Sequence, residues 1–186
     1  MSTLPWPDHL LGLDDWDALP PDPTRRYELS EGVLLVTPRP TALHQRAGFR
    51  LAGLLDQQLP GELSALTEAE VVIDEGPPAT VRVPDVIVVP TSVADADPAR
   101  VRACDVRLAV EILSPGTART DRTTKLFEYA DAGIPSYWIL DLRPPATVTA
   151  HLLVDGDYEI VADGTGPFVL TEPAPVRITV PALVVR

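Results

Sequence analysis

Cysteine is nearly missing from this sequence: of 186 residues, only Cys104 carries a thiol. That excludes an intramolecular disulfide and a cysteine-based zinc site, and it suits a reducing cytoplasm. No apolar run approaches the roughly 18 residues of a membrane-crossing helix, and Met1-Ser-Thr-Leu-Pro-Trp6 lacks the basic start of a secretory signal. A cytoplasmic protein with no membrane contact is the expectation. Basic residues are also scarce, with 15 Lys and Arg against 27 Asp and Glu, for a net charge of -12. This balance argues against broad affinity for nucleic acid, whose phosphates reward clustered cations. It leaves room for a local basic patch or a metal-filled site.

The residues present describe a globular chain. Apolar residues make up 45% and the mean hydropathy is +0.09, enough for one domain with a sizeable core. Proline is over-represented, 21 residues against a usual share of about 5%, and it borders apolar runs as a loop stiffener. Residues 1–24 read as an N-terminal arm with a short helix at Asp14–Leu19, and residues 25–186 as a single domain. No internal repeat divides it.

Along the domain, Arg26–Val36 predicts a hairpin turning at Ser30-Glu31-Gly32. Leu43, Ala47, Leu51, Leu54, Leu55 and Leu59 repeat at helical spacing across residues 41–59. Strands are expected at Leu66–Asp74, Thr80–Val89 and Leu108–Leu113, then a helix at Thr117–Ala132 and a buried strand at Ser136–Leu140. A β-rich tail follows, with strands at Val148–Val154, Tyr158–Ala162 and Arg177–Val185.

Within this pattern, Glu111 is out of place. It lies in Leu108-Ala-Val-Glu-Ile-Leu113, apolar on both faces, where a carboxylate is costly unless a cation, a metal or strong donors meet it. Asp85 sits in a similar run, Val83-Pro-Asp-Val-Ile-Val-Val89, although Pro84 could equally mark a strand start that Asp85 merely caps. If the two strands are neighbours, both acids converge at one sheet end, where hard oxygen ligands suit Mg²⁺ or Mn²⁺. Asp121, Lys125 and Tyr129 share one helix face. Spacing alone describes them as a surface Asp–Lys pair; the alternative aims Lys125 at the acids, to orient water or neutralise developing charge. His44 is either an ordinary histidine at a helix edge or a phosphate or water contact beside the acidic site.

The order Tyr27-Glu28-Leu29, Glu31-Gly32, His44, Val83-Pro84-Asp85, Val110-Glu111-Ile112-Leu113-Ser114-Pro115, Asp121, Lys125, Tyr129, Gly133-Ile134 and Tyr137-Trp138 resembles the Uma-two family of restriction-endonuclease-like proteins. That family lies within the PD-(D/E)XK nuclease superfamily. The resemblance runs from about Tyr27 to Asp141. It implies an α/β fold of the α+β, mixed-sheet kind: a restriction-endonuclease-like core, with helices flanking a central mixed sheet and extra strands at both ends. It further implies an endonuclease that cuts DNA with Mg²⁺ or Mn²⁺ held by Asp85 and Glu111. Lys125 would serve as the catalytic lysine, with Glu28, His44, Asp121 and Tyr129 in supporting roles. The superfamily lysine falls two residues after the second acid, where this chain has Leu113; Lys125 would fill its role from the next helix.

Two other functions compete with DNA cleavage. One is a nuclease-fold protein that binds nucleic acid or a protein partner without cutting, which Leu113 and the net charge favour. The other is a structural oligomeric domain whose acids are satisfied internally. Nucleases that cut both strands often pair across a two-fold axis, so a homodimer is expected.

Overall fold

The computed structural model describes residues 8–20, 22 and 25–184. Its first helix, α1 (Leu13–Asp17), agrees with the short helix predicted at Asp14–Leu19. Leu11 and Trp16 are buried beside Leu29, Ala79 and Val81, which ties this segment to the first sheet. The remaining residues of the expected arm, 1–7, 21, 23 and 24, lie outside the described residues.

Strands β1 (Arg25–Ser30) and β2 (Val33–Pro38) form the predicted hairpin, in register from Arg25↔Pro38 to Ser30↔Val33. Glu31 and Gly32 adopt φ of 47° and 76°, the left-handed pair that a tight two-residue hairpin turn requires. A Cβ on Gly32 would stand 2.7 Å from Leu10 Cβ and 2.8 Å from Pro78 Cβ. Gly32→Ala is therefore expected to destabilise the protein by about 1–3 kcal/mol, seen as a lower urea midpoint at unchanged slope. An unchanged midpoint would show that this close approach is not under constraint.

The predicted helix over 41–59 forms as α2 (Ala42–Gln58), with Thr41 capping its first turn. Ala47, Gly48, Leu51, Ala52 and Leu55 are its buried face. Leu43, expected on that stripe, is exposed one turn ahead of the first core contact.

Two predicted strands divide. Leu66–Asp74 becomes β3 (Leu63–Thr67) and β4 (Val71–Asp74), with Glu68 at φ 52° between them. Thr80–Val89 becomes β5 (Thr80–Arg82) and β6 (Val86–Pro90). Pro84 has no N–H for a ladder, and Val83-Pro84-Asp85 carries the chain from one sheet to the other.

Beyond β6 come α3 (Thr91–Asp95), β7 (Val101–Arg102) and the expected buried strand β8 (Leu108–Ile112). The helix predicted at Thr117–Ala132 breaks at Thr123, giving α4 (Ala118–Arg122) and α5 (Thr124–Asp131). Thr123 has φ -128° and ψ -76°, and its hydroxyl donates to the Arg119 carbonyl at 2.6 Å, a local bond that competes with helix continuation.

The tail holds β9 (Ser136–Asp141), β10 (Thr147–Val154), β11 (Asp157–Gly164), β12 (Phe168–Leu170), β13 (Val176–Ile178) and α6 (Val180–Val184). The strand expected at Arg177–Val185 is thus mostly a helix, burying Val180 and Leu183 at i,i+3 spacing. So short an apolar run does not distinguish strand from helix by periodicity.

The mixed sheet flanked by helices is present, divided into two. One sheet runs β2-β1-β5-β4-β7 and the other β11-β10-β9-β8-β6-β3, with β8 and β9 parallel at the centre of the second. On one face of that larger sheet, Val86, Val110 and Trp138 pack with Leu51 and Leu55 of α2 and Leu183 of α6. On the other, Ile87, Ala109, Tyr137 and Ile139 pack with Tyr129 of α5. Among the described residues no helix is long and apolar enough to cross a membrane.

Candidate active site

The predicted neighbours are neighbours. β6 runs antiparallel to β8 with Val86 opposite Val110, so the start of β6 lies beside the end of β8. Asp85 thereby stands across from Glu111, with its amide donating to the Val110 carbonyl at 3.0 Å. Both side chains are buried, at 6% and 3% exposure.

Asp85 is held on both oxygens. Arg26 Nη1 donates to Oδ1 at 2.9 Å, and the Ile112 amide donates to Oδ2 at 2.6 Å. His44 Nε2, from the first turn of α2, lies 3.1 Å from Oδ2 and 2.9 Å from the Ile112 carbonyl. These groups open on a cleft of about 200 Å³ that Phe49, Thr67 and Glu68 also line.

Behind this pair lies a buried cluster. Lys125 Nζ donates to Glu111 Oε1 at 2.8 Å and to Glu28 Oε1 at 2.9 Å, and stands 3.6 Å from Asp121 Oδ1. Tyr129 donates its hydroxyl to the same Glu111 oxygen at 2.8 Å. The surface Asp–Lys pair that spacing alone describes is therefore not what forms: Asp121 is 1% and Lys125 3% exposed. Their spacing survives the break at Thr123, and the helix turns this face inward. All seven residues expected from the sequence (Glu28, His44, Asp85, Glu111, Asp121, Lys125 and Tyr129) come together at one place.

The charges follow from these contacts. Burial pushes Glu111 up to about 8; Asp85, Asp121 and Glu28 push the same way, and Lys125 only partly opposes them. Burial also raises Asp121, against the pull of Lys125. Glu28 goes the other way: burial acts to raise it, but Lys125 and Arg82 outweigh that and hold it below the usual range. Lys125 loses hydration on burial, yet Glu111, Glu28 and Asp121 keep its ammonium more firmly protonated than usual. The upward push thus acts on Glu111 and not on Glu28, which has a second cation and the Val83 amide at 3.1 Å.

Three members of the cluster escaped sequence reasoning. Arg82, fully buried, meets Glu128 at 2.6 and 2.7 Å, Glu28 at 3.2 Å and Ser30 at 2.8 Å. Its signal was the one that exposed Glu111, a lone charge between Val81 and Val83. Arg26 and Glu128 carried none, because Arg26 follows Arg25 and Glu128 shares a helix face with Thr124 and Asp131. A further signal in the sequence is that Lys125 is the only lysine among the 15 basic residues.

Similarity to known proteins bears on the fold and the family. The crystal structure of a protein from Anabaena variabilis, described as a "putative nuclease belonging to DUF820", superposes with a TM-score of 0.69. It covers 94% of this chain and 97% of its own at 17% identity, a likeness of fold. No curated protein matches the chain. Residues 13–181 match Uma2, described as "Putative restriction endonuclease". That span includes all of the cluster, and the chain belongs to the Uma2 family.

Proposed function

We propose that this protein is a Mg²⁺- or Mn²⁺-dependent endonuclease that hydrolyses phosphodiester bonds of DNA. Asp85 and Glu111 would hold the metal, with Lys125 as the cation that supports them. The observation that carries this reading is a surplus of buried carboxylate. Among the described residues, Glu28, Asp85, Glu111, Asp121 and Glu128 meet only three permanent cations, Arg26, Arg82 and Lys125. With all five ionised the cluster would be two positive charges short, which a divalent ion would supply; without the ion the upward shift of Glu111 meets part of that deficit.

The donor set fits such an ion. Among the described residues no three His, Cys, Asp or Glu side chains could hold a metal by themselves. Mg²⁺, however, usually keeps several waters and takes only one or two carboxylates. Two acids and the Ile112 carbonyl meet that requirement. The His44 nitrogen, lying between Asp85 Oδ2 and the Ile112 carbonyl, marks a point that favours an electropositive atom. When bound, the ion supplies a Lewis acid for the scissile phosphate and a water of lowered pKa.

The chain's own groups do the positioning. Lys125 and Tyr129 both donate to Glu111 Oε1, which fixes the carboxylate and directs its other oxygen elsewhere. Leu113 occupies the superfamily lysine position, and Lys125 brings an ammonium to the same carboxylate from α5. Arg26 anchors Asp85 by its other oxygen, while His44 stands at the cleft as a water or phosphate contact.

The test is cleavage of plasmid DNA and of single-stranded DNA with Mg²⁺ or Mn²⁺. Wild type is expected to cut, and Glu111→Ala and Lys125→Ala each to lose roughly a hundredfold or more. Equal activity in all three proteins would sink the assignment. A non-cleaving protein that binds nucleic acid or a protein partner is the second reading, favoured by Leu113 and by the net charge of -12. Its signature is DNA binding that neither needs metal nor changes in Glu111→Ala, with no cleavage by wild type.

A further inference from the structure

A second face of α2 opens onto the cleft. Gln45, Phe49, Gly53 and Asp56 recur at intervals of four, four and three, so they share one side of the helix. Phe49 lines the small cleft beside His44 and Asp85, and also a groove of about 670 Å³ that continues past Gly53 and Asp56. Thr67 and Glu68 line both as well, which joins the groove to the acidic site. Its volume lies in the range of about 300–1,000 Å³ typical of ligand sites.

Phe49 is 77% exposed, although it is an aromatic residue on a helix whose other face builds the core. Nothing crowds it from Gly53, where an added Cβ would meet no atom within 4 Å. The groove around the ring is acidic. Asp56, Glu68, Glu70 and Asp97 line it, and Arg100, the one cation among the described residues lining it, is ion-paired with Asp17. A sugar-phosphate backbone is repelled by such walls. A neutral base is not, and its amino and imino N–H groups would meet carboxylate acceptors there. A base inside a duplex is stacked on its neighbours and paired with its partner, so its face is not free for a protein ring.

We propose that Phe49 is a base-stacking residue and that the groove receives an unpaired nucleobase beside the phosphate that a divalent ion at Asp85 and Glu111 would hold. Single-stranded nucleic acid is then the class of chain this site takes. The proposal rests on the nuclease reading for the phosphate at Asp85. Stacking of one base on an aromatic side chain contributes about tenfold or more in affinity.

The test uses protein with Ca²⁺, a hard cation that takes oxygen ligands of the Asp85 and Glu111 kind, and a single-stranded oligonucleotide carrying 2-aminopurine, whose fluorescence is quenched on stacking. Wild type is expected to quench it and to bind the single strand at least about tenfold more tightly than the blunt duplex of the same sequence. Phe49→Ala loses the quench and about tenfold in affinity, whereas Phe49→Trp keeps both. Because Phe49 supports no core packing, both variants should melt like the parent. Quenching and affinity unchanged in Phe49→Ala, no single-strand binding by wild type, or duplex bound as tightly as single strand overturns the proposal. Cleavage with Mn²⁺ on the same strands separates the two readings. Wild type that cuts duplex and single strand alike, indifferent to Phe49, keeps the nuclease reading and removes this one. Wild type that stacks a base through Phe49 yet cuts nothing does the reverse.

Discussion

Replacing Lys125 by methionine is expected to destabilise the folded protein by about 3–5 kcal/mol at pH 7. The size follows from what is left behind. Glu28 and Glu111 each lose a charge-assisted bond, at 2.9 and 2.8 Å, and Asp121 loses the cation 3.6 Å away. All three carboxyls stay buried, so none can recover its hydration without opening the fold. An exposed pair of the same residue types would contribute only about 0.2–1 kcal/mol. Urea unfolding of Lys125→Met against the parent measures the difference. A second measurement tests the cause: Glu111→Gln in the Lys125→Met background removes one stranded acid and is expected to restore part of the loss. A Lys125→Met protein as stable as the parent would show that another group holds these acids.

The metal-free protein should also respond to pH in an uncommon direction. Burial pushes Glu111 up from an ordinary 4.5 to about 8 in the fold, with Lys125 opposing and three acids nearby adding to the rise. The folded state therefore binds this proton more tightly than the unfolded chain does. The resulting stability is fully present below about pH 4.5 and is lost as pH rises through about 8. Each tenfold difference in proton affinity between fold and unfolded chain corresponds to about 1.4 kcal/mol, so the loss is on the order of several kcal/mol. Glu28, lowered by Lys125 and Arg82 against the effect of its own burial, acts in the opposite sense. Its contribution is present above about 4.5 and disappears as pH falls through its folded value. Together the two place the stability maximum in mildly acidic solution. Glu111→Gln keeps the shape and removes the titration, so its stability curve between pH 5 and 8 should be flatter than the parent's. Parallel curves over that window would mean that Glu111 is ionised in the fold.

Much of this cluster was legible before folding was considered. Glu111 stood out because a charge between Val110 and Ile112 must meet a partner, and that partner, Lys125, was already aligned with Asp121 and Tyr129 by helical spacing. The same rule applied to Arg82, between Val81 and Val83, would have found it. Arg26 and Glu128 were beyond reach, since Arg25 beside the one and Thr124 and Asp131 on the helix face of the other made each look like ordinary surface. Phe49 fell outside the apolar stripe of Ala47, Leu51 and Leu55, and only the fold shows that it stands 77% exposed beside the cleft.

Local order along the chain was enough to specify the hairpin at Glu31-Gly32, the long helix after Thr41, the buried strand at Leu108 and the acids that did not belong in their surroundings. Hydrogen bonds between residues close in sequence and the period of the side chains suffice for that. That Thr80–Pro90 spans two sheets was settled by long-range pairing, because alternation sets which face a residue takes but not which strand it pairs with. The state of the charges was settled the same way. Glu28 and Lys125 are 97 residues apart in sequence and 2.9 Å apart in space. Whether a buried acid keeps its proton depends on neighbours that only folding supplies.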